Sequence, residues 1–219
     1  MTRTIRVTGK GTINVSPDTT VLTIKTDSFS SDYETLIQNA SFELERLKET
    51  IAKQGFKKED LKTKDFDINT EYSSVKDKKG NYKSVFSGYR YRRKMKLSFP
   101  KDNERLGKLM QALSTCGIDP DLSLNFIVSD TESTKNLLLE KAVEDGYIKA
   151  EALSRGAGVK LGQLLSIDYS WGVIHLETEY IDLQAAKCCC FSEGIPDFDM
   201  EPEDVSASDT VTLVYEIIG

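Results

Sequence analysis

The 219-residue chain has a net charge of −6 at neutral pH and a calculated isoelectric point near 5.0. A protein that binds nucleic acid nonspecifically needs a cationic surface, so this charge argues against nucleic acid as a partner. No stretch approaches the ~18 consecutive apolar residues of a membrane-spanning helix. The first residues also lack the apolar run of a signal peptide. We therefore predict a cytoplasmic protein that does not insert into a membrane.

Two β-segments are predicted at the start of the chain. In the first, apolar and small residues alternate with polar ones, at Ile5, Val7, Gly9, Gly11, Ile13 and Val15. This period of two predicts a strand, and glycines inside a strand indicate a bulge or the close approach of another backbone. Ser16-Pro17-Asp18 provides turn chemistry before a second segment over residues 21–26, so we expect a hairpin.

A helix is predicted next, because Ser31 and Glu34 have the spacing of a capping box. Gly55 stands where a left-handed residue would end the helix. Between them, apolar residues follow the spacing of one helical face, at Tyr33, Leu36, Ile37, Ala40, Leu44, Leu47 and Ile51.

Two strands follow, from Phe66 to Tyr72 and then beyond a turn at residues 77–81. One face of the second strand carries Tyr89, Tyr91, Met95, Leu97 and Phe99, and the other carries Arg90, Arg92, Lys94 and Lys96. These four cations form a row about 20 Å long at strand spacing. The row is interpreted as a solvated sheet face, or as a surface for an anionic ligand or for the acidic segment of this or a neighbouring subunit. A small-molecule site with Tyr89, Tyr91 and a basic rim is a weaker alternative.

The remaining pattern predicts a short helix over residues 106–113 that ends at Gly117, and strands over 122–128, 165–169 and 211–217. With a third helix after residue 128, the predicted order is β-β-α-β-β-α-β-α-β-β. Strands joined by hairpins with helices on one face describe an α+β protein with a mainly antiparallel sheet.

The third helix is predicted to begin at a second capping box, formed by Ser129 and Glu132. Its single face is rich in alanine and glycine, and comprises Leu139, Ala142, Val143, Gly146, Ala150, Leu153 and Ala157. So small a face allows another element to approach closely. Residues 171–208 show no sustained period and accumulate carboxylates, which predicts a long acidic loop.

The candidate reactive residues are few. Cys188, Cys189 and Cys190 are consecutive, so they do not form a disulfide framework, although they could be oxidised or bind a soft metal. A zinc site typically takes four ligands from two separated pairs, and His175 is the only histidine. We therefore predict no catalytic, cofactor or metal site.

Several segments together resemble the SIMPL-domain family, a bacterial group that includes periplasmic immunogenic proteins. They are Val7-Thr8-Gly9-Lys10-Gly11, Pro17-Asp18, Gly55-Phe56, Ile68 through Tyr72, Ser87-Gly88-Tyr89 and Lys149-Ala150-Glu151-Ala152-Leu153. The resemblance implies a two-lobed fold, a tendency to form closed oligomers, no established enzyme activity, and a link to stress defence or the cell envelope. The cysteine triplet and the acidic loop are not part of the family pattern.

These observations favour a single SIMPL-like domain over residues 1–219 that is a non-enzymatic homo-oligomer without a cofactor. The alternative is a redox- or metal-responsive protein that acts through Cys188, Cys189 and Cys190.

Overall fold

The computed structural model describes residues 3–76, 80–170, 174–183 and 200–219. Its elements are, in chain order, β1 (Thr4–Val15), β2 (Thr19–Ser30), α1 (Tyr33–Lys53), a 3-10 turn (Lys58–Asp60), β3 (Lys62–Lys76), β4 (Tyr82–Pro100), α2 (Asn103–Ser114), β5 (Asp121–Ile127), α3 (Thr131–Gly156), β6 (Lys160–Asp168), β7 (Ile181–Asp182) and β8 (Val205–Ile218). The predicted α+β class is confirmed, and the predicted order holds with β7 and the 3-10 turn added.

The described strands form two sheets, with the orders β1-β8-β6 and β3-β4-β2-β5-β7. The chain correspondingly divides into two compact units. The first contains β1, α3, β6 and β8, and the second contains β2 to β5, β7, α1 and α2. The predicted opening hairpin is wrong, because β1 pairs with β8 and β2 pairs with β4. The prediction of one SIMPL-like domain over residues 1–219 stays a prediction.

In the first unit, the backbone of α3 lies directly against the backbone of β1. A Cβ atom on Gly9 would lie 1.9 Å from the carbonyl oxygen of Ala142, and one on Gly11 would lie 2.1 Å from that of Leu138. Real Cβ atoms do not approach oxygen so closely, so both positions require glycine. The close approach that the sequence indicated at these two glycines is confirmed.

The face that α3 buries is built in steps of four residues. Its buried residues are Leu138, Ala142, Gly146, Ala150 and Ser154. The small-residue face is therefore confirmed at its centre. Leu153, predicted on the same face, is instead 56% exposed, because it precedes Ser154 by about 100° around the helix.

Side chains of α3 also bind the outer edge of β1. The Lys10 backbone N–H donates to Asp145 Oδ2 at 2.7 Å, and Lys149 Nζ donates to the Thr8 carbonyl oxygen at 3.2 Å. Lys149 Nζ also donates to Asp145 Oδ2 at 2.7 Å. These bonds occupy edge groups that could otherwise pair with another strand.

In the second unit, β2-α1-β3-β4-α2-β5 forms a βαββαβ plait with α1 and α2 on one face of the sheet. The core residues of this face include Leu22, Ile24, Leu47, Ile51, Met95, Leu97, Leu106, Leu109 and Phe126. The strand alternation predicted for β4 accounts for its buried residues from Tyr91 to Phe99. Arg93 shares their parity, and its guanidinium donates to the Ala40 carbonyl oxygen at 3.2 Å.

An aspartate caps each of the three α-helices. Asp32, Asp102 and Asp130 accept a hydrogen bond from the backbone N–H three residues later, at 2.8 to 3.0 Å. The predicted capping boxes are therefore wrong by one residue, because the neighbouring carboxylate takes the N-cap position in place of the predicted serine. Gly55 and Gly117 have positive φ angles of 81° and 75°, as expected for helix ends.

Half of the predicted acidic loop lies outside the described residues, which omit 171–173 and 184–199. Within residues 171–208, the structure places β7 against β5. The last strand begins at Val205, so residues 205–208 belong to β8 and not to a loop. None of the described helices is long and apolar enough to cross a membrane.

Candidate functional site

The outer part of the β3–β4 hairpin is an exposed feature of the second unit. β2 ends at Ser30, opposite Tyr89, so the β4 residues before Tyr89 pair only with β3. We call this two-stranded part, residues 71–76 and 82–88, the aromatic arm. Gly88 stands at its base, where a Cβ atom would lie 2.5 Å from the Ser30 carbonyl oxygen.

The aromatic arm exposes apolar side chains on both of its faces. Tyr72 lies directly opposite Phe86, and Tyr82 lies on the same face, while Val75 and Val85 lie on the other. Their exposed fractions are 60%, 46%, 70%, 50% and 43%, respectively. The sequence analysis did not predict this surface. The aromatic residues on either side of the turn at residues 77–81 are the sequence feature that indicates it.

A ladder of rings connects the arm to the start of α1. The centroid distances are 6.0 Å from Tyr72 to Phe86, 5.2 Å from Phe86 to Tyr89 and 5.3 Å from Tyr89 to Tyr33. Such edge-to-face contacts fix the orientation of the rings. Because Tyr33 is itself 47% exposed, the ladder extends the apolar surface towards the body of the unit.

The arm also differs in charge from the rest of the chain. The arm contains two lysines, Lys76 and Lys83, and one carboxylate, Glu71, whereas the whole chain has a net charge of −6. Within the described part of the arm, Lys76 Nζ lies 5.2 Å above the ring of Tyr82. The arm is thus a basic, aromatic projection from an acidic protein.

The predicted cationic row lies on the face of β4 opposite the helices, and half of it is neutralised. Arg90 binds Asp27 Oδ1 at 2.5 Å and Glu71 Oε1 at 2.8 Å, and Arg92 binds Asp27 Oδ2 at 3.1 Å. Asp27 therefore bridges the two arginines. The hydrogen bonds from Arg90 to Glu71 and Asp27 raise the pKa of the guanidinium.

The other half of the row is surrounded by further lysines. Lys94 lies directly opposite Lys25 of β2, and partial burial together with Lys64, Lys25 and Lys96 lowers the pKa of Lys94. Asp65, opposite Lys94 on β3, acts against this shift. The sequence analysis did not include Lys25 and Lys64, because only strand pairing brings them beside the row.

Tyr91 lies in a buried polar cluster and not in a ligand site. Its hydroxyl donates to Glu43 Oε2 and lies 3.0 Å from Thr26 Oγ1, while Ser28 Oγ donates to Glu43 Oε1 at 2.8 Å. Burial and the hydrogen bond to Glu43 raise the pKa of Tyr91. Its ring is fully buried beside Leu36, which argues against a small-molecule site that uses Tyr91.

The remaining candidates from the sequence form no reactive centre in the part of the chain that the structure describes. Cys188, Cys189 and Cys190 lie outside the described residues, so their redox or metal role stays a prediction. His175 is exposed outside regular secondary structure. Among the described residues, no group of three His, Cys, Asp or Glu side chains is arranged to hold a metal ion.

Comparisons with known proteins place the chain in a family without an assigned function. The SIMPL family model, described as a protein of unknown function (DUF541), matches residues 5–215. The "26 kDa periplasmic immunogenic protein" of Brucella abortus is 24% identical over 74% of this chain, and that of Brucella melitensis is 23% identical over the same share. Each match spans 65% of the relative, which is less than two thirds of its length. "Uncharacterized protein YggE" of Edwardsiella ictaluri is 21% identical over 95% of this chain and 84% of that protein.

The names of these relatives correct one prediction. The absence of an apolar N-terminal run led us to expect a cytoplasmic protein. Both Brucella relatives are instead named periplasmic proteins, and the expectation of a cytoplasmic location is therefore wrong. A cleavable leader is a local sequence feature that the fold of the domain does not require, so its absence from a sequence is weak evidence about location.

Proposed function

The chain belongs to the SIMPL family, and from that premise we propose that it is a non-enzymatic, periplasmic protein that acts by assembling with copies of itself. The observation that carries this proposal is the aromatic arm. In the part of the chain that the structure describes, no third strand pairs with the arm. A two-stranded ribbon is marginally stable by itself. An arm with apolar side chains on both faces gains stability when a partner covers it.

The size of the exposed surface fits a specific contact. Because one whole aromatic side chain offers roughly 150–250 Å², the five exposed apolar side chains of the arm together present about 500 Å². Burial of this area and of a matching area on a partner removes about 1,000 Å², the lower bound of a specific protein interface. Single exposed hydrophobic side chains need no explanation, but five of them on one short ribbon do.

The charge of the arm favours a second copy of this chain as the partner. The arm is basic while the protein as a whole is acidic, so the arm of one copy is attracted to the body of another. Such a contact joins two different surfaces and is therefore heterologous. Heterologous contacts close into rings when the rotation between copies allows it.

The experiment is a measurement of solution mass by light scattering during size-exclusion chromatography. We expect a discrete oligomer at about 0.05 M salt that partly dissociates at about 0.5 M, because salt screens attraction between exposed charges. The double variant Tyr82→Ser/Phe86→Ser is expected to have a lower mass at both salt concentrations. Its circular dichroism spectrum should match the wild-type spectrum, since neither side chain belongs to a buried core.

The matched control is Phe42→Ser. Phe42 is an aromatic residue on α1 that is 63% exposed and lies outside the arm. This variant should retain the wild-type mass. A wild-type protein that stays monomeric at high concentration and low salt would rule out the proposal, as would a control variant that dissociates as far as the arm variant.

A further inference from the structure

A small cavity lies at the unneutralised end of the cationic row. Its volume is about 280 Å³, and its lining includes Lys25, Lys94, Ser123, Tyr180 and the carboxylates of Asp121 and Asp182. All of these residues belong to the second unit. We call this feature the lysine cavity.

The two lysines at the cavity lie directly opposite each other on neighbouring antiparallel strands. Lys25 and Lys94 are direct partners in the register of β2 and β4. Directly opposite side chains have Cβ atoms about 5 Å apart, and like charges at that spacing destabilise a sheet. Neither lysine makes an ion pair with any described residue, whereas Arg90 and Arg92 of the same row do.

The surrounding charge does not cancel this repulsion. Lys64 and Lys96 lie close enough to lower the pKa of Lys94 further, and Asp65 only partly opposes them. Asp121 and Asp182 each have an interaction within the protein already. Two lysines and two aspartates thus line the cavity, and the largest charge effects on Lys94 come from other lysines. This arrangement costs stability in the free protein and favours an anionic ligand.

The dimensions and lining define the ligand more closely. A volume of about 280 Å³ equals that of about nine liquid-phase water molecules, which suits one phosphate group with a small organic part. Lysine ammonium groups bind phosphate as compact point charges. The Ser123 hydroxyl can donate to a phosphate oxygen, and the ring of Tyr180, which is 48% exposed, offers a flat apolar surface.

From this geometry we propose that the lysine cavity binds a small phosphate monoester. Lys25 and Lys94 bind the phosphate group, and Tyr180 contacts the organic part. The ligand neutralises the cross-strand lysine pair, so its binding stabilises the second unit.

The test is calorimetric titration of the full chain at constant ionic strength with inorganic phosphate and, separately, with phenyl phosphate. We expect saturable binding of both, with phenyl phosphate the tighter ligand. Lys25→Gln and Lys94→Gln should each weaken binding about tenfold or more, and Lys141→Gln, an equal charge change on α3, should leave it within about twofold. Tyr180→Ala should weaken the binding of phenyl phosphate and leave the binding of inorganic phosphate unchanged. That contrast separates recognition of an ester from recognition of the free ion.

Thermal unfolding supplies a second readout. It distinguishes loss of the ligand site from a folding defect, because a folding defect would lower the unfolding midpoint. In phosphate-free buffer, Lys25→Gln should raise the unfolding midpoint, because it removes the repulsion across β2 and β4. With phenyl phosphate present, the same variant should gain less stability than the wild type. The proposal fails if neither probe binds up to about 10 mM, if Lys25→Gln binds as well as the wild type, or if this variant lowers the midpoint in phosphate-free buffer.

Discussion

Substitution of Gly9 by alanine is the most direct test of the backbone contact between β1 and α3. The added Cβ atom would lie 1.9 Å from the Ala142 carbonyl oxygen and 2.5 Å from the Gly146 backbone nitrogen. Ordinary carbon–oxygen contacts are about 3.3 Å or longer, so the strand and the helix would have to separate by roughly 1.4 Å. Both clashing atoms belong to the backbone of α3, and no rotamer change can move them.

The cost follows from the packing that this separation disrupts. The core on this side comprises Val7, Ala142, Ala150, Val211, Leu213 and Tyr215. Inserting a methyl group into a well-packed core costs about 1–3 kcal/mol, and more when the surroundings cannot relax. We therefore expect Gly9→Ala to lower the free energy of unfolding by about 3 kcal/mol. For a chain of this size, that loss lowers the thermal midpoint by roughly 6–12 °C.

Urea unfolding followed by circular dichroism measures the effect, and Gly156→Ala is its matched control. Gly156 ends α3, its φ angle is not positive, and no heavy atom lies within 4 Å of the position of an added Cβ. Alanine there should stabilise the helix by up to about 0.5 kcal/mol. The reasoning is refuted if Gly9→Ala unfolds within about 0.5 kcal/mol of the wild type, or if both alanine variants lose stability equally.

Three further predictions concern polar side chains. Asp102→Ala removes the cap of α2 and should cost about 1 kcal/mol in urea unfolding, whereas Asp102→Asn should cost less. Tyr91→Phe leaves Glu43 Oε2 without the hydroxyl that donates to it and should cost about 1–2 kcal/mol at pH 7. Because the pKa of Tyr91 is raised above its usual 10.0, the wild type should lose stability as the pH rises above 10, and Tyr91→Phe should lose less. Backbone hydrogen bonds lower the pKa values of Asp32 and Asp130 below 3.8, so stability that is present above pH 4 should fall as these caps are protonated, and a variant with both changed to Asn should lose less between pH 5 and pH 2.

Local patterns in the sequence predicted the elements of this fold better than their partners. The alternation in β4 correctly separated its buried residues from its charged ones, and the paired glycines of β1 correctly indicated a close backbone approach. The turn residues Ser16-Pro17-Asp18 were taken as a hairpin turn, although the same chemistry serves a crossing from one sheet to another. Turn residues specify the bend of a chain and not the strand with which it next pairs.

The candidate sites show the same limit. The cationic row could be predicted from the sequence of one strand. Two other features depend on the register of β2 against β4: the neutralisation of the arginines by Asp27, and the pairing of Lys25 with Lys94. The half-buried Arg93 has the parity of Tyr91 and Met95, and this alternation is the signal that it lies on the helix side of the sheet. A cysteine triplet is visible in the sequence itself. The aromatic residues beside the turn at residues 77–81 become a candidate surface only when strand pairing shows that β2 ends before them.

The pairing of β1 with β8 joins the two extremes of the described chain, from Thr4 opposite Glu216 to Val15 opposite Val205. During synthesis, the first strand therefore has to wait for the last one before its sheet can form, while β2 to β5 already have their partners. Non-local pairings of this kind form slowly, because the intervening chain must first be ordered. A polypeptide that stops before Val205 would keep the second unit and leave the glycine face of β1 and the small face of α3 without the strand that completes their core. The core of the first unit is therefore complete only after β8 has been made, and copies that lack β8 would present apolar surface that proteases and chaperones recognise.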